Sequence, residues 1–328
     1  MTSFGKLLVQ GRGAEAALQR LCANDVAVAP GQIVYTQWLN DRGGIEADLT
    51  VTRLSETRYL VVTAAAAARR DFAWAQRHLS DAPDVALIDM TSSEAVMCVM
   101  GPNSRALLEN VSGADLSNAA HPFGTWREMF IGHAPVRAAR VTYVGELGWE
   151  LYTPTEFARG AFDALTAAGA AFGLRLAGLH ALDSCRIEKA YRHWGHDVGD
   201  EDSPLEAGLT FAVKLDKGDF IGRDALLRRR DAGVTRRLAQ FLLADPEPLL
   251  YHDEPIYAGQ HMVGRTTSGA YGHTLGGAVA LGYVCEAGGA IADLVARAKF
   301  TIEVGGRRID ARASLTPMYD PKNARIRA

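Results

Sequence analysis

Two stretches of the chain repeat one plan, and this repeat restricts the possible folds more than any other feature of the sequence. Each has an apolar run, a turn that contains glycine, and then apolar residues at helical spacing. The stretches read KLLVQGRGAEAALQRLC (residues 6–22) and VMCVMGPNSRALLENVSG (residues 96–113). A weaker copy, DFIGRDALLRRRDAG, begins at Asp219. Repeated strand–turn–helix units predict duplicated α+β modules that pack side by side.

The pattern changes near Arg236. Before it, two longer helices are predicted, with the sequences PTEFARGAFDALTAAGAAFG and GLHALDSCRIEKAYRH. After it, short alternating segments and turns have the spacing of a small all-β unit. A chain of 328 residues has material for about two domains. The sequence therefore predicts an α+β domain over residues 1–235 and a β domain over residues 236–328.

The composition is that of an ordinary soluble globular protein, with 48% hydrophobic and 22% charged residues. A formal net charge of −3 gives no electrostatic reason to expect nucleic acid or an anionic membrane as a partner. The four cysteines are scattered, which is typical of reduced thiols and not of a disulfide framework. Neither a signal peptide nor a membrane span is indicated, so the sequence predicts a cytoplasmic protein.

One carboxylate lies in the stretch LNDRGGIEADLTVTRL, residues 39–54. Its first half has the composition of a turn, and its second half alternates as a strand that is buried on one face. Asp48 is on the polar face of that strand. Periodicity favours a solvated carboxylate there, because the outer face of a half-buried strand is normally polar, and the alternative is that this face lines a site.

A second carboxylate lies in RVTYVGELGWELYTP, residues 140–154. Alternation places Glu150 and Tyr152 on one side of a strand, with Trp149 and Leu151 on the other. A carboxylate can accept two parallel hydrogen bonds, so such a pair can recognise a planar ring with adjacent N–H donors, as a pterin has. An exposed polar face is again the alternative interpretation.

Three other patterns suggest sites of a different kind. Gly11-Arg12-Gly13-Ala14-Glu15-Ala16 matches a dinucleotide fingerprint, but its echo at Gly101 keeps the plan without the second glycine. The segment His193–Asp197 contains two histidines and a carboxylate, and Gly195 interrupts the helical spacing that a metal site would use. TTSGAYGHTLGGA (residues 266–278) is rich in glycine, and we interpret it as a turn between strands of the β unit. No metal site is predicted.

Several stretches together resemble the tetrahydrofolate-binding aminomethyltransferase family, whose best-known member is the T-protein of the glycine cleavage system. They are LCANDV, YTQWLNDRGGIEADLTVTR, MGPNSRALL, YVGELGWELY, DSCRIEKAYRHWGHD, SPLEAGLTFAVKLDKGDFIGRDAL and TSGAYGHTLGGAVALGYV, in the family's order. The form RIEKAYRHWGHD is similar to the folate-binding half of dimethylglycine and sarcosine dehydrogenases. The resemblance implies a ring of duplicated strand–helix modules around a folate cavity, followed by a small C-terminal β-barrel.

The resemblance also implies roles for individual residues. Asp48 matches the family's catalytic aspartate, and Glu150 matches its pterin-binding glutamate, with Tyr152 nearby. Tyr35 matches a family tyrosine in the preceding strand, and Arg192 and Arg265 are candidates for binding the anionic glutamate tail of folate. If so, the polar faces of both strands line a cavity.

The implied activity is transfer of a one-carbon unit from an N-methyl or aminomethyl group to tetrahydrofolate, which yields 5,10-methylenetetrahydrofolate. The amine-oxidising relatives carry a flavin domain, and the chain has no sequence match to an FAD site, so an FAD-dependent oxidoreductase is an expected partner. The match begins in the middle of a family segment, which suggests a separate subunit, a shortened protein or a fragment. Two alternatives remain: a non-catalytic folate-binding protein, and a demethylase that yields 5-methyltetrahydrofolate.

Overall fold

The computed structural model describes residues 4–286 and 290–328. Within these ranges the chain forms two antiparallel sheets with helices packed on them, and a C-terminal barrel. No helix in the described ranges is both long and apolar enough to cross a bilayer. The fold is thus of the α+β class that the sequence predicts.

The first sheet has five strands in the order β2-β3-β4-β1-β5. Its buried face carries the alternate apolar residues of β3, including Ala47, Leu49 and Val51, and these pack with two helices into one core. The elements are β1 (Gly5–Gln10), α1 (Ala14–Leu21), β2 (Ile33–Leu39), β3 (Ile45–Ser55), β4 (Arg58–Thr63), α2 (Ala68–Leu79) and β5 (Ala86–Asp89).

The second sheet has four strands in the order β6-β9-β8-β7. Its core includes Trp149 and Leu151 of β9, both fully buried. The elements are β6 (Glu94–Met100), α3 (Ser104–Ser112), β7 (Trp126–Ile131), β8 (Ala134–Ala139), β9 (Gly148–Pro154) and α4 (Ala158–Gly169).

The echo in the sequence corresponds to a repeated backbone shape. β1 turns into α1 through Gly11, whose φ is 131°, and β6 turns into α3 through Gly101, whose φ is 128°. Both angles lie in a region that side chains rarely adopt, so glycine is required at the same place in each unit. The weaker copy at Asp219 forms a helix, α6 (Arg223–Ala232), but the segment directly before that helix is not a strand.

Helix α5 (Leu179–Glu188) is shorter than the sequence predicts. The apolar spacing suggested a helix as far as His193, but Ala190 has a φ of 55°, which a right-handed helix cannot contain. The chain therefore leaves the helix before Arg192, whose charge acts on Asp48, and residues 190–199 contain no helix or strand.

The C-terminal domain is a closed six-stranded barrel in the order β10-β13-β12-β11-β14-β15. Thr266–Gly272 belongs to β12, so the proposed glycine-rich turn is wrong over that part, and only residues 273–276 make the turn. The elements are β10 (Arg236–Leu243), β11 (Pro255–Ala258), β12 (His261–Gly272), β13 (Gly277–Cys285), α7 (Ile291–Arg297), β14 (Phe300–Val304) and β15 (Arg307–Ser314).

The two sheets also contact each other through a small apolar cluster. Leu60 and Val62 of β4 pack there with Val96 and Tyr152 of the second sheet, and Ile33 of β2 joins them. This cluster lies on the face of the first sheet that is opposite its main core. The packing therefore directs the polar face of β3 towards the polar face of β9.

Candidate functional site

Asp48 lies on β3 directly across from Gln37 of β2, and Tyr35 lies across from Thr50. Residues that face each other in an antiparallel pair share one side of the sheet, so Tyr35, Gln37 and Asp48 form a polar group together. The side-chain amide of Gln37 donates a hydrogen bond of 2.9 Å to Asp48 Oδ1. Asp48 itself is half-buried.

Burial raises the pKa of the Asp48 carboxyl, because removal from water disfavours its charged form. Hydrogen bonds from Gln37 and Tyr35 and the positive charge of Arg192 oppose this effect. The pKa of the Tyr35 hydroxyl is raised well above its ordinary value, mainly by burial and then by the neighbouring Asp48. The result is a carboxylate that accepts a proton more readily than one in water.

Glu150 and Tyr152 form the second polar group. They alternate along β9 with the fully buried Trp149 and Leu151, in the orientation that the sequence predicts. The hydroxyl of Tyr152 donates to Glu150 Oε2 over 2.6 Å. Burial raises the pKa of Glu150, and the hydrogen bond from Tyr152 partly offsets the rise.

The two groups lie on facing surfaces of the packed sheets. Ile33 lies on the same side of the first sheet as Gln37 and Asp48, because it pairs with Thr52 in the same register. Ile33 also belongs to the apolar cluster that contains Tyr152 of the second sheet. Ile33 and Gln37 are four residues apart on one strand, a rise of roughly 13 Å. The carboxylates of β3 and β9 therefore border one region between the sheets.

Arg192 also lies close to Asp48. Its guanidinium donates to the carbonyl of Ala190 over 2.6 Å and to that of Ala207 over 2.7 and 3.0 Å. Arg237 lies beside it, since both guanidinium groups border Gly208. A Cβ built on that glycine would be 2.8 Å from Arg192 Nη2 and 3.4 Å from Arg237 Nη2. Burial and then the charge of Arg192 lower the pKa of Arg237. Two cations thus lie side by side, and Arg192 is the one whose charge acts on Asp48.

Arg265 lies elsewhere. It is exposed on β12, opposite Tyr283 of the neighbouring strand β13. Among the described residues it makes no ion pair or side-chain hydrogen bond. No described contact joins it to Asp48 or to Glu150.

Aromatic rings surround the Asp48 group. Tyr35 stacks on Phe211 with ring centroids 5.9 Å apart and planes inclined by 26°, and Phe211 is 71% exposed. Tyr143 stacks on Tyr191 at 6.0 Å and donates to the carbonyl of Arg192 over 2.8 Å. A large apolar ring that is this exposed, and that stacks on the tyrosine hydrogen-bonded to Asp48, suits contact with a planar ligand.

Asp197 links three separate segments of the chain through hydrogen bonds. It is fully buried and accepts hydrogen bonds from Arg186 Nη1 over 2.6 Å, from the His193 backbone over 2.9 Å, and from the Thr267 hydroxyl. These partners use its oxygens, so Asp197 is a structural ion-pair partner. Over residues 4–286 and 290–328, no cluster of potential ligands able to hold a metal ion is found.

We expect Asp197→Ala to lower the free energy of unfolding by about 3–5 kcal/mol, because it leaves the buried charge of Arg186 without its closest partner. Asp183 also pairs with Arg186, at 3.1 Å, but its side chain is 41% exposed. Asp183→Ala is the matched control and should cost no more than about 1 kcal/mol. Urea unfolding measures both, and equal losses would contradict the assigned role of Asp197.

The glycines of the dinucleotide fingerprint allow the backbone of residues 83–85 to pack closely against them. A Cβ on Gly11 would lie 1.8 Å from the carbonyl oxygen of Asp84, and one on Gly13 would lie 2.3 Å from that of Pro83. The close approach of the loop at residues 83–85 therefore accounts for both glycines without a bound dinucleotide.

Comparison with known proteins identifies the family. Residues 1–217 match the GCVT N-terminal domain, and residues 236–320 match the glycine cleavage T-protein C-terminal barrel domain. The chain belongs to the glycine cleavage T-protein family. The crystal structure of aminomethyltransferase T from Bartonella henselae superposes with a TM-score of 0.84 at 26% identity, covering 96% of this chain and 84% of that one.

Two longer proteins are also similar. A 4-methylaminobutanoate oxidase (formaldehyde-forming) from Paenarthrobacter nicotinovorans is 42% identical over 328 residues, which are 100% of this chain and 39% of the oxidase. Human mitochondrial sarcosine dehydrogenase is 38% identical over 344 residues, with 100% of this chain and 37% of the dehydrogenase covered. The chain thus spans about two fifths of the length of these relatives, and the resemblance drawn from the sequence is confirmed.

Four residues near the predicted site were not singled out from the sequence: Gln37, Tyr143, Phe211 and Arg237. Only Gln37 had a usable signal, because alternation along β2 places it on the same side as Tyr35. The others join the group through contacts between distant parts of the chain: Phe211 stacks on Tyr35, Tyr143 donates to the carbonyl of Arg192, and Arg237 lies beside Arg192. No local pattern predicts such contacts.

Proposed function

We propose that the chain is a tetrahydrofolate-dependent one-carbon transferase that forms 5,10-methylenetetrahydrofolate from an N-methyl or aminomethyl carbon. The observation that carries the proposal is the pair of half-buried carboxylates, Asp48 and Glu150, on facing surfaces of two packed sheets, each with a raised pKa. Membership of the T-protein family supports the ligand class. Each carboxylate has a distinct role.

Glu150 is the recognition carboxylate. Of the described residues, only Tyr152 donates a side-chain hydrogen bond to it, through Oε2, so the carboxylate retains acceptor capacity for ligand N–H groups. A pterin edge offers two adjacent donors of this kind, and a carboxylate binds such an edge in bidentate fashion. In a buried site these charged hydrogen bonds are worth about 1.5–3 kcal/mol each.

Asp48 is the proton acceptor. The folate nitrogens supply the nucleophile when tetrahydrofolate is bound, so the protein has to take up a proton and stabilise positive charge on the carbon that is transferred. The raised pKa of Asp48 suits uptake of the proton. Its negative charge, in a partly desolvated position, suits stabilisation of the positive carbon. Tyr35 and Gln37 keep the carboxylate oriented.

Arg192 and Arg237 are the basic groups proposed to meet the glutamate tail. Arg192 already donates to two backbone carbonyls, whereas the side chain of Arg237 donates only to the carbonyl of Leu205, at 3.3 Å, among the described residues. Arg237 is therefore the freer of the two to bind a carboxylate. Arg265, which is exposed on the barrel strand β12, stays a third candidate.

A flavoprotein amine oxidoreductase is the proposed partner. The similar oxidase and dehydrogenase are each more than twice as long as the part that this chain matches. The name of the first states that it forms formaldehyde, a one-carbon unit at the oxidation level that a methylene transfer requires. A partner of that type would deliver the iminium or formaldehyde from a small methylated amine.

The proposal is tested by incubating the purified chain with tetrahydrofolate and formaldehyde. We expect 5,10-methylenetetrahydrofolate to form faster than in the spontaneous reaction without protein. Product analysis separates the alternatives: 5-methyltetrahydrofolate from a methylated donor would indicate a demethylase. Folate binding with no rate above background would overturn the catalytic proposal and indicate a binding protein.

The rate should depend on pH through Asp48. Only the ionised carboxylate accepts a proton, so turnover should fall as the pH drops through the pKa of Asp48, and burial places this fall above the range of an ordinary aspartate. Tyr35, Tyr143 and Arg192 also face Asp48, and among them the hydrogen bond from Tyr35 and then the charge of Arg192 lower its pKa. A profile of kcat/KM against pH that matches an unperturbed aspartate would contradict this assignment.

A further inference from the structure

Gln37 has an unusual environment for a buried amide. The residue is completely buried on β2, and its Nε2 donates to Asp48 Oδ1, but its Oε1 is buried and has no hydrogen-bond partner among the described residues. A buried acceptor without a partner costs about 1–3 kcal/mol. An apolar side chain of similar size would avoid that cost, so the fold maintains an amide here at the expense of stability.

The amide has a property that an apolar side chain lacks. It presents a donor on one side and an acceptor on the other, and a rotation of about 180° about its last bond exchanges them. An ionised carboxylate only accepts hydrogen bonds, whereas a protonated one also donates. Gln37 can therefore bond to Asp48 in both protonation states: through Nε2 before Asp48 takes up a proton, and through Oε1 afterwards.

We propose that Gln37 is a positioning residue whose amide follows the protonation state of Asp48 during proton transfer. The inference rests on the proposed function and deepens it. The proton moves from the substrate nitrogen to Asp48, and Gln37 neither gains nor loses one. Its position directly across the strand pair fixes the distance between the two side chains, and Ala23 anchors the Gln37 carbonyl through a backbone hydrogen bond of 2.9 Å.

Among the other neighbours of Asp48, the Tyr35 hydroxyl can also both donate and accept a hydrogen bond, and it lacks the separate donor and acceptor atoms of an amide. The Tyr35 hydroxyl is a donor to the ionised form, and its pKa is raised well above the ordinary value. Arg192 has only donors, and Tyr143 gives its proton to the carbonyl of Arg192. Of the described side chains that face Asp48, only the Gln37 amide combines a carbonyl acceptor with N–H donors.

The test uses Gln37→Met, which keeps the length of the side chain and removes both polar functions. The titration of the Asp48 carboxyl is followed by carbon NMR, with Asp48→Asn for assignment. We expect Gln37→Met to shift this titration to higher pH, because the charge-assisted bond lost by the ionised carboxylate is stronger than the neutral bond lost by the protonated one. It should also lower kcat by about 10- to 100-fold with little change in KM for tetrahydrofolate.

Gln37→Glu is the second variant, and it should shift the titration further in the same direction, since two neighbouring carboxylates then compete for one proton. Thermal melting checks that both variants fold. An Asp48 titration that stays in place in both folded variants would overturn the proposal. The titration needs no turnover, so it remains informative if the wild-type chain proves inactive, and inactivity alone would count against the proposed function instead.

Discussion

Asp48→Asn is expected to lose most turnover and to retain tetrahydrofolate binding. Asparagine keeps the shape of the side chain but cannot accept a proton at physiological pH. General-base catalysis is typically worth about 10²–10⁴ in rate, and we expect a loss of that size in the formaldehyde assay. Calorimetric binding of tetrahydrofolate by the same preparation should be nearly unchanged, because the recognition carboxylate is Glu150.

The stability of this variant gives a second readout. The folded protein raises the pKa of Asp48, so it binds that proton more tightly than the unfolded chain does. Stability therefore falls as the pH rises through the interval between the two pKa values. At neutral pH Asp48→Asn removes this cost, and we expect its Tm to equal or exceed that of the wild type. Asp41→Asn, at an exposed position in the preceding turn, is the matched control and should change neither property. Undiminished turnover in Asp48→Asn would refute the catalytic assignment.

Glu150→Gln is expected to have the largest effect on binding. The amide replaces one acceptor oxygen with a donor, which would face the N–H groups of the ligand. The loss of a charged hydrogen bond of about 1.5–3 kcal/mol corresponds to roughly a 10- to 100-fold increase in Kd. Equilibrium dialysis or calorimetry with tetrahydrofolate measures it.

Two controls separate recognition from folding. Glu128→Gln, on an exposed position of β7, makes the same chemical change outside the site and should leave Kd unchanged. Tyr152→Phe removes only the hydrogen bond that orients Glu150 and should weaken binding less than Glu150→Gln does. Circular dichroism verifies that the variants are folded. If Glu150→Gln binds tetrahydrofolate as tightly as the wild type, the pterin site lies elsewhere.

Local patterns predicted much of the fold. The alternation of Ala47, Leu49 and Val51 with polar residues specifies β3 and its buried face, since a strand has a side-chain period of two. The echo around Gly11 and Gly101 predicts the two strand–turn–helix units, because a positive φ at the turn needs glycine in both. Such features depend on neighbours in sequence, and the sequence therefore carries them directly.

The environment of the polar faces was not predictable in this way. Periodicity alone favoured a solvated Asp48 and a solvated Glu150, because a polar strand face usually meets water. The two polar faces are turned towards each other by contact between the sheets through Leu60 and Tyr152, which are far apart in sequence. Only the family resemblance indicated a cavity. The early end of α5 is a similar case, since the left-handed conformation of Ala190 depends on tertiary packing and not on apolar spacing.

Equilibrium binding of tetrahydrofolate to the wild-type chain is the decisive test of a folate site between the two sheets. The measurement is anaerobic calorimetry with the purified, folded protein, and Glu150→Ala is measured alongside. We predict saturable binding by the wild type and its loss in Glu150→Ala. A folded wild-type chain that does not bind tetrahydrofolate, or a Glu150→Ala variant that binds it equally well, would contradict a folate site between the two sheets.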